Sequence, residues 1–393
     1  MPAVRALRVT ARLNLDGAVY ASPVVVAGRV FVATENDSVY AFDMRAAQLW
    51  KAHLGTPSPA SERPCGNIDP LGITGTPVVS GGTVFAAAEY TAPVRHELVA
   101  IDAATGAVRW RRNLDLPGAA AVAMQQRAAL TVADGRVWVA FGGLAGDCGD
   151  YKGRLIGVRV DGTGAPIAYT VPTQREAGIW APPGPSVDER GRLLVSVGNG
   201  AAEGGSPYDF SDSILAISTT GRPLDSFSPS QWAQDNAGDR DLGSQGPAFV
   251  GPWVFAAGKS GIGYVLRRDR LGGIGGEVSA APVCRSFGGT AVDGATVYVP
   301  CDDGERAVRV DASGHLAVLW HASDAIGGSP DVGGGRVWVL DTADRVLHAL
   351  DPATGRSREH VAVGVTSRFA TPALYGTSVF VPTLAGLTIV TTR

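Results

Sequence analysis

A short outer-strand motif recurs along this chain, and the recurrence constrains the fold more than any other feature. Clear copies read VYAFDMRAAQLW at 39–50, LVAIDAATGAVRW at 98–110, AVRVDASGHLAVLW at 307–320 and LHALDPATGR at 347–356. Weaker copies are LIGVRVDGTG, ILAISTTGRP, YVLRRDRLGG and a truncated C-terminal GLTIVTTR. The turn aspartates are Asp43, Asp102, Asp161, Asp311 and Asp351, and the last two stand 40 residues apart. A period near 40 with strand-type patterning predicts a four-stranded propeller blade, whereas a helical solenoid would show an apolar period of about 3.6 residues.

Eight such units predict an all-β, eight-bladed propeller of antiparallel blades, one domain over residues 1–393. The last unit lacks its outermost strand, and Ala6–Leu15 (ALRVTARLNL) reads as a strand without a unit of its own. Donating that strand to the last blade closes the ring and leaves only short, protected edges. At 45% apolar and 18% charged, with 52 Gly and 25 Pro, the chain has the composition of a strand-and-turn protein with a large core. A net charge of −3 without a Lys/Arg cluster argues against nucleic acid as a partner, and no apolar run reaches membrane-spanning length. No apolar stripe marks an oligomer interface, so a monomer is expected.

Four cysteines form an even set. Cys284 and Cys301 flank the hairpin turning at Asp293-Gly294 and fall nearly opposite each other on antiparallel strands, within disulfide reach. Cys65 and Cys148 make the second expected pair, and two disulfides suit an oxidising compartment. MPAVRALRVT shows no signal-peptide pattern. The expectation is therefore an extracytoplasmic or secreted mature chain, with a cytoplasmic protein as the alternative.

Loop lengths separate two faces. Turns within the inner and outer hairpins are uniformly short. The long segments all belong to the other face: 56–71, 90–96, 143–153, 199–212 and 227–242. Long loops on a rigid scaffold accumulate binding residues, which nominates Asn67, Asp69, Asp147, Asp150, Asp235 and Asn236 as ligand-binding loop positions. Counting back from each inner-hairpin glycine puts Arg127, Arg368 and, one residue off, Arg285 at the start of first strands. Counting forward puts Glu35, Glu89 and Asp341 at the ends of second strands, with Asn199 and Lys259 one residue later. All of these are expected near the axial mouth. There the arginines would stabilise negative charge and Glu35 or Asp341 would move a proton, or the set would simply pair with itself.

The SPVVVAGRVFVAT hairpin followed by the AxDxxTGxxxW pattern resembles the pyrroloquinoline quinone (PQQ) repeat family of eight-bladed propellers, over essentially the whole ring. That family includes quinoprotein alcohol dehydrogenases and noncatalytic envelope-assembly proteins. PCGNIDPLGITGTP, GDCGDYKG and DNAGDRDLGSQGP are similar, more narrowly, to secreted actinobacterial members. The resemblance implies cofactor-binding positions at Asn199, in VSVGNGAAEGG, and Lys259, in AGKSGIGYVL. It also exposes departures: Cys148 stands where a calcium-ligating Glu is implied, and Trp232-Ala233 replaces the segment that supplies the catalytic Asp unless Asp235, Asp239 or Asp241 substitutes. No adjacent Cys-Cys pair exists.

Other chemistries find less support. All histidines but His96 are expected on outer strands or the short-turn face, and none has metal-ligand spacing. LGGIGG at 271–276 lacks a strand-to-helix context and reads as a turn. The acidic run at 235–241 lacks EF-hand spacing. The leading expectation is a propeller that binds a small anionic or polar ligand, or a cell-envelope protein, without a cofactor. A cofactor-independent lyase or cyclase at the same mouth and a PQQ- and calcium-dependent alcohol dehydrogenase are the alternatives.

Overall fold

The repeat motif is the contact that joins one blade to the next. In the computed structural model, which describes residues 4–118, 120–202, 204–323 and 327–393, each turn aspartate accepts amide protons from its own outer turn. Asp102 Oδ1 takes the amides of Ala104 and Thr105 at 2.9 Å, and Asp351 Oδ1 those of Ala353 and Thr354 at 2.9 and 3.1 Å. The turn glycine then faces the tryptophan of the preceding blade. A Cβ on Gly106 would sit 2.8 Å from the Trp50 ring, and one on Gly355 2.6 Å from that of Trp320. The indole N–H groups finish the joint: Trp50 Nε1 donates to Ala103 O at 3.2 Å and Trp320 Nε1 to Pro352 O at 2.9 Å. Removing such a tryptophan would cost about 3–5 kcal/mol.

Eight antiparallel blades result, at residues 24–53, 78–113, 124–170, 186–228, 248–282, 291–322, 331–362 and 373–392. The eighth takes its outermost strand from the N-terminus. Leu7–Asn14 pairs with Gly386–Thr392 in the register Leu7↔Thr392 to Asn14↔Gly386, and the expected closure is present. Middle strands are buried on both faces between neighbouring blades, as in Val84 to Tyr90, whereas outer strands alternate, as in Gln48–His53. A bulge recurs at equivalent places in five third strands, at Ala41/Phe42, Ala100/Ile101, Ala216/Ile217, Ala307/Val308 and Ala349/Leu350. It adds local twist just before the outer turn.

Three local readings change. Residues 90–96 are not a long loop: Thr83–Tyr90 and Arg95–Asp102 stay paired out to Tyr90↔Arg95, so the segment is a lengthened hairpin. LGGIGG is more than a turn, because Gly273–Ile274 adds a fifth, parallel strand to blade 4 beside Pro223–Ser228. Leu271, fully buried, anchors it, and its amide donates to Asp225 Oδ2 at 2.7 Å. The loop at 227–242 carries a short helix, Trp232–Ala237.

Candidate functional site

First strands begin at the axis on the long-loop face, so the residues leading into them surround a cavity of about 570 Å³. Tyr20, Thr74, Arg127, Pro183, Ser329 and Arg368 are contributed by six different blades, and Asn67 and Ala145 reach in from two loops. An outer basin of about 310 Å³ shares Arg127, Arg368 and Phe369 and adds Trp180, Asn199, Lys259, Arg285, Phe287, Asp147 and Asp239. The three sequence-predicted arginines, with Asn199 and Lys259, are thus brought together.

Aromatic rings space the cations. The Arg127 guanidinium lies 4.9 Å from the Phe369 ring and 5.6 Å from Trp180, while Arg368 and Arg285 lie 3.8 and 5.3 Å from Phe287. Ring quadrupoles stabilise cations in this geometry. No ion pair involves Arg127, Arg285 or Arg368 among the described residues. Arg127 makes only a long contact, 3.4 Å, to Gln125 Oε1. Burial lowers its pKa, against the opposing fields of Glu35, Tyr20 and Asp147. Lys259 differs, because its ammonium touches Asp239 and lies 3.0 Å from the fully buried Asp241 Oδ2.

The carboxylates expected at the mouth are elsewhere. Glu35, Glu89 and Asp341 are 1%, 3% and 3% exposed and line neither the cavity nor the basin. The reason is strand alternation: Asn199 and Lys259, one position further along, face the mouth, so residues one step earlier point between blades. Asp341 Oδ1 accepts the amides of Ala343 and Asp344 and closes its own turn. Glu35 Oε2 accepts the Gly72 amide at 2.8 Å and the carboxyl also meets the Thr74 hydroxyl, but burial outweighs both bonds and pushes its pKa up to about 7. Asp37, also buried, is raised to about 9 by burial and then by Glu35 and Glu89. His96 bridges Glu89 Oε2 at 3.2 Å and Asp115 Oδ1 at 2.8 Å. Burial opposes its charge, but those two bonds prevail and hold its pKa up to about 10. The sequence does not reveal this acidic seam between blades 1 and 2, since its members lie in one hairpin turn, on two strands and in a connection.

The loop positions divide similarly. Asn67 lines the cavity and Asp147 the basin. Asp147 also accepts the Tyr151 hydroxyl. Asp69 is exposed and takes the Ala60 amide at 2.8 Å. Asp150 is exposed and lines neither. Asp235 is buried and pairs with Arg240 at 3.1 Å. Asn236 staples two loops, accepting from Gly200 N at 3.1 Å and donating to Ser211 Oγ at 2.7 Å. Both expected disulfides are present. Cys65–Cys148 spans a Cα separation of 6.2 Å and ties the loop of Asn67 to that of Asp147; Cys284–Cys301, at 5.8 Å, adjoins Arg285.

The family described as outer membrane protein assembly factor BamB matches residues 6–139, 47–163 and 230–392, which together span most of the chain. The chain belongs to this family of PQQ-like repeat propellers. No curated protein matches it in sequence. Among solved structures, BamB from Moraxella catarrhalis is similar at 18% identity and a TM-score of 0.66, covering 99% of this chain and 100% of that one. A europium-containing methanol dehydrogenase aligns at 14% identity and a TM-score of 0.73, covering 98% and 93%. A computationally designed protein, Ika8, aligns at 12% identity and a TM-score of 0.60, over 97% and 98%. At these identities the likeness shows the fold.

A PQQ-like propeller prompts the question of whether quinone and metal would fit here. The donor set for the metal does not. Cys148, where a carboxylate is implied, is consumed in a disulfide. Lys259 is committed to Asp239 and Asp241, and among the described residues no group of three or more His, Cys, Asp or Glu is placed to hold a metal ion. Hard cations such as calcium need six to eight oxygen ligands, and three guanidinium groups at the rim oppose a divalent ion electrostatically.

Proposed function

We propose that the long-loop face is a binding face and that its axial mouth captures a small anionic ligand without a resident metal or quinone. The observation that carries this is the collar of Arg127, Arg285 and Arg368, three guanidinium groups without ion pairs among the described residues, above a cavity whose lining includes no carboxylate. Guanidinium groups stacked on aromatic rings keep their N–H forks free for bidentate bonds to carboxylate or phosphate. Desolvated cations of this kind need an anionic partner, and among the described residues neither Asp147 nor Asp239 in the basin forms an ion pair with these three.

Two disulfides support an extracytoplasmic setting for this reading. No helix among the described residues is long and apolar enough to cross a membrane. A proton-transfer role for Glu35 is disfavoured by its position, fully buried behind the cavity wall on the Gly72 amide.

Calorimetric titration with citrate tests the reading. Micromolar to low-millimolar binding that disappears in the Arg127→Ala/Arg368→Ala protein is expected. Unchanged citrate binding in that folded double variant would sink it.

A further inference from the structure

Beneath the arginine collar the cavity wall is built of hydroxyl groups. Tyr20 and Ser22 come from the lead-in to blade 1, Thr74 and Thr76 from blade 2, Thr290 from blade 6, Ser329 from blade 7, and Ser367 and Thr371 from blade 8. Several of these have their oxygen already occupied as an acceptor. Thr76 Oγ1 takes the Ser22 amide at 2.9 Å, Ser329 Oγ the Gly289 amide at 2.7 Å, and Ser367 Oγ the Phe369 amide at 3.3 Å. In each case the hydroxyl hydrogen is left to donate elsewhere. Thr74 is 4% exposed, and its hydroxyl is turned to the buried Glu35 carboxyl behind the wall.

The remaining wall is largely apolar, with Pro182, Pro183, Pro330 and Phe369 lining it. The space, about 570 Å³, lies within the roughly 300–1,000 Å³ of small-molecule sites.

From these features we infer that the ligand is an acidic sugar, a mono- or disaccharide carrying a carboxylate or phosphate. Its acid group engages the arginines, its hydroxyls bond the Ser/Thr wall, and the C–H face of a ring lies against Phe369 and the prolines. This deepens the anion-binding reading above and rests on it. A hydroxyl-rich wall suits a hydroxylated ligand because every hydroxyl can donate and accept at once. A peptide is a poorer match: its N–H groups need acceptors, and the lining offers no carboxylate and only the Asn67 amide among carbonyl-bearing side chains. A site built to hydrogen-bond hydroxyls discriminates strongly against analogues that lack them.

The test is parallel calorimetry of the whole chain with four probes: digalacturonate, its neutral counterpart galactobiose, the hydroxyl-free diacid adipate, and trehalose monophosphate. Digalacturonate or trehalose monophosphate is expected to bind at least about ten-fold more tightly than both adipate and galactobiose. Whichever acidic sugar binds more tightly identifies the acid group. Thr290→Val/Thr371→Val should shrink the advantage over adipate while leaving adipate itself unchanged, with thermal melting as the check on folding. If adipate equals both acidic sugars, the sugar inference is overturned and the anion-binding reading stands. If no acidic probe binds, both are overturned.

Discussion

Two charged regions lie close together near the axis and resolve the cost of burial in opposite ways. At the mouth, Arg127, Arg285 and Arg368 keep their charge at a half-open rim, spaced by Trp180, Phe287 and Phe369. Between blades 1 and 2, Glu35, Asp37 and Glu89 are sealed from water, and His96 is the base bridged between Glu89 and Asp115. A guanidinium cannot shed its proton in practice and so must be given rings, water or an anion. A carboxyl can take one up, and the raised pKa values of Glu35 and Asp37 show that response. The rim is thus open to a ligand, while the seam is a structural element whose stability follows pH.

The largest effect that would sharpen this contrast is His96→Ala. It strands Glu89 and Asp115 without their shared partner and should cost about 3–5 kcal/mol, measurable by urea unfolding. Unchanged stability would mean that the seam is not held by ionic bridging. Removing the Cys284–Cys301 bridge as a Ser/Ser pair, a separation of 17 residues, should cost about 3 kcal/mol and loosen the rim at Arg285. Thermal melting of the wild-type and variant proteins would show it.

At the rim, Arg127→Ala/Arg368→Ala should weaken citrate binding by more than about a hundred-fold, at about 1.5–3 kcal/mol for each of the two charged hydrogen-bonding groups lost, with little change in melting temperature. A collapse in melting temperature instead would make the arginines structural.

The pH response separates the regions again. Glu35 has a folded pKa of about 7 against an ordinary 4.5, so the folded state holds its proton longer, and stability falls as pH rises from 4.5 to 7. His96, raised from 6.5 to about 10, contributes stability that is complete below 6.5 and lost as pH climbs toward 10. Stability measured across this range should therefore decline with pH, and Glu35→Gln should flatten the acidic part of the decline. An identical slope in Glu35→Gln would contradict the assignment. The smallest expected change is Trp180→Leu, which should weaken anion binding only a few-fold through loss of about 0.5–1 kcal/mol of cation–ring attraction.

The blades were legible because their signal is local and repeated: Asp in the outer turn, Gly beside it, and Trp on the strand that follows. The arginines were legible for a related reason, since Arg127 and Arg368 stand at the same distance before Gly135 and Gly376. The same count misplaced Glu35 and Asp341, because a single step along a strand reverses the side to which a residue points. Trp180, Phe287 and Phe369 escaped notice, as nothing in one unit marks an aromatic residue that meets a cation from another blade. Asp37, His96 and Asp115 are hidden on the same ground, and in the sequence His96 stands out only as the histidine expected away from the outer strands and the short-turn face.

By itself the sequence determined the eight-bladed ring, its closure by the N-terminal strand, the two disulfides and the elaborated face. Each of these follows from short-range patterning, loop length or cysteine position. Only the tertiary structure decided which charges meet solvent and which meet each other, because neighbours across a blade boundary are distant in sequence and a one-residue offset exchanges rim for interior.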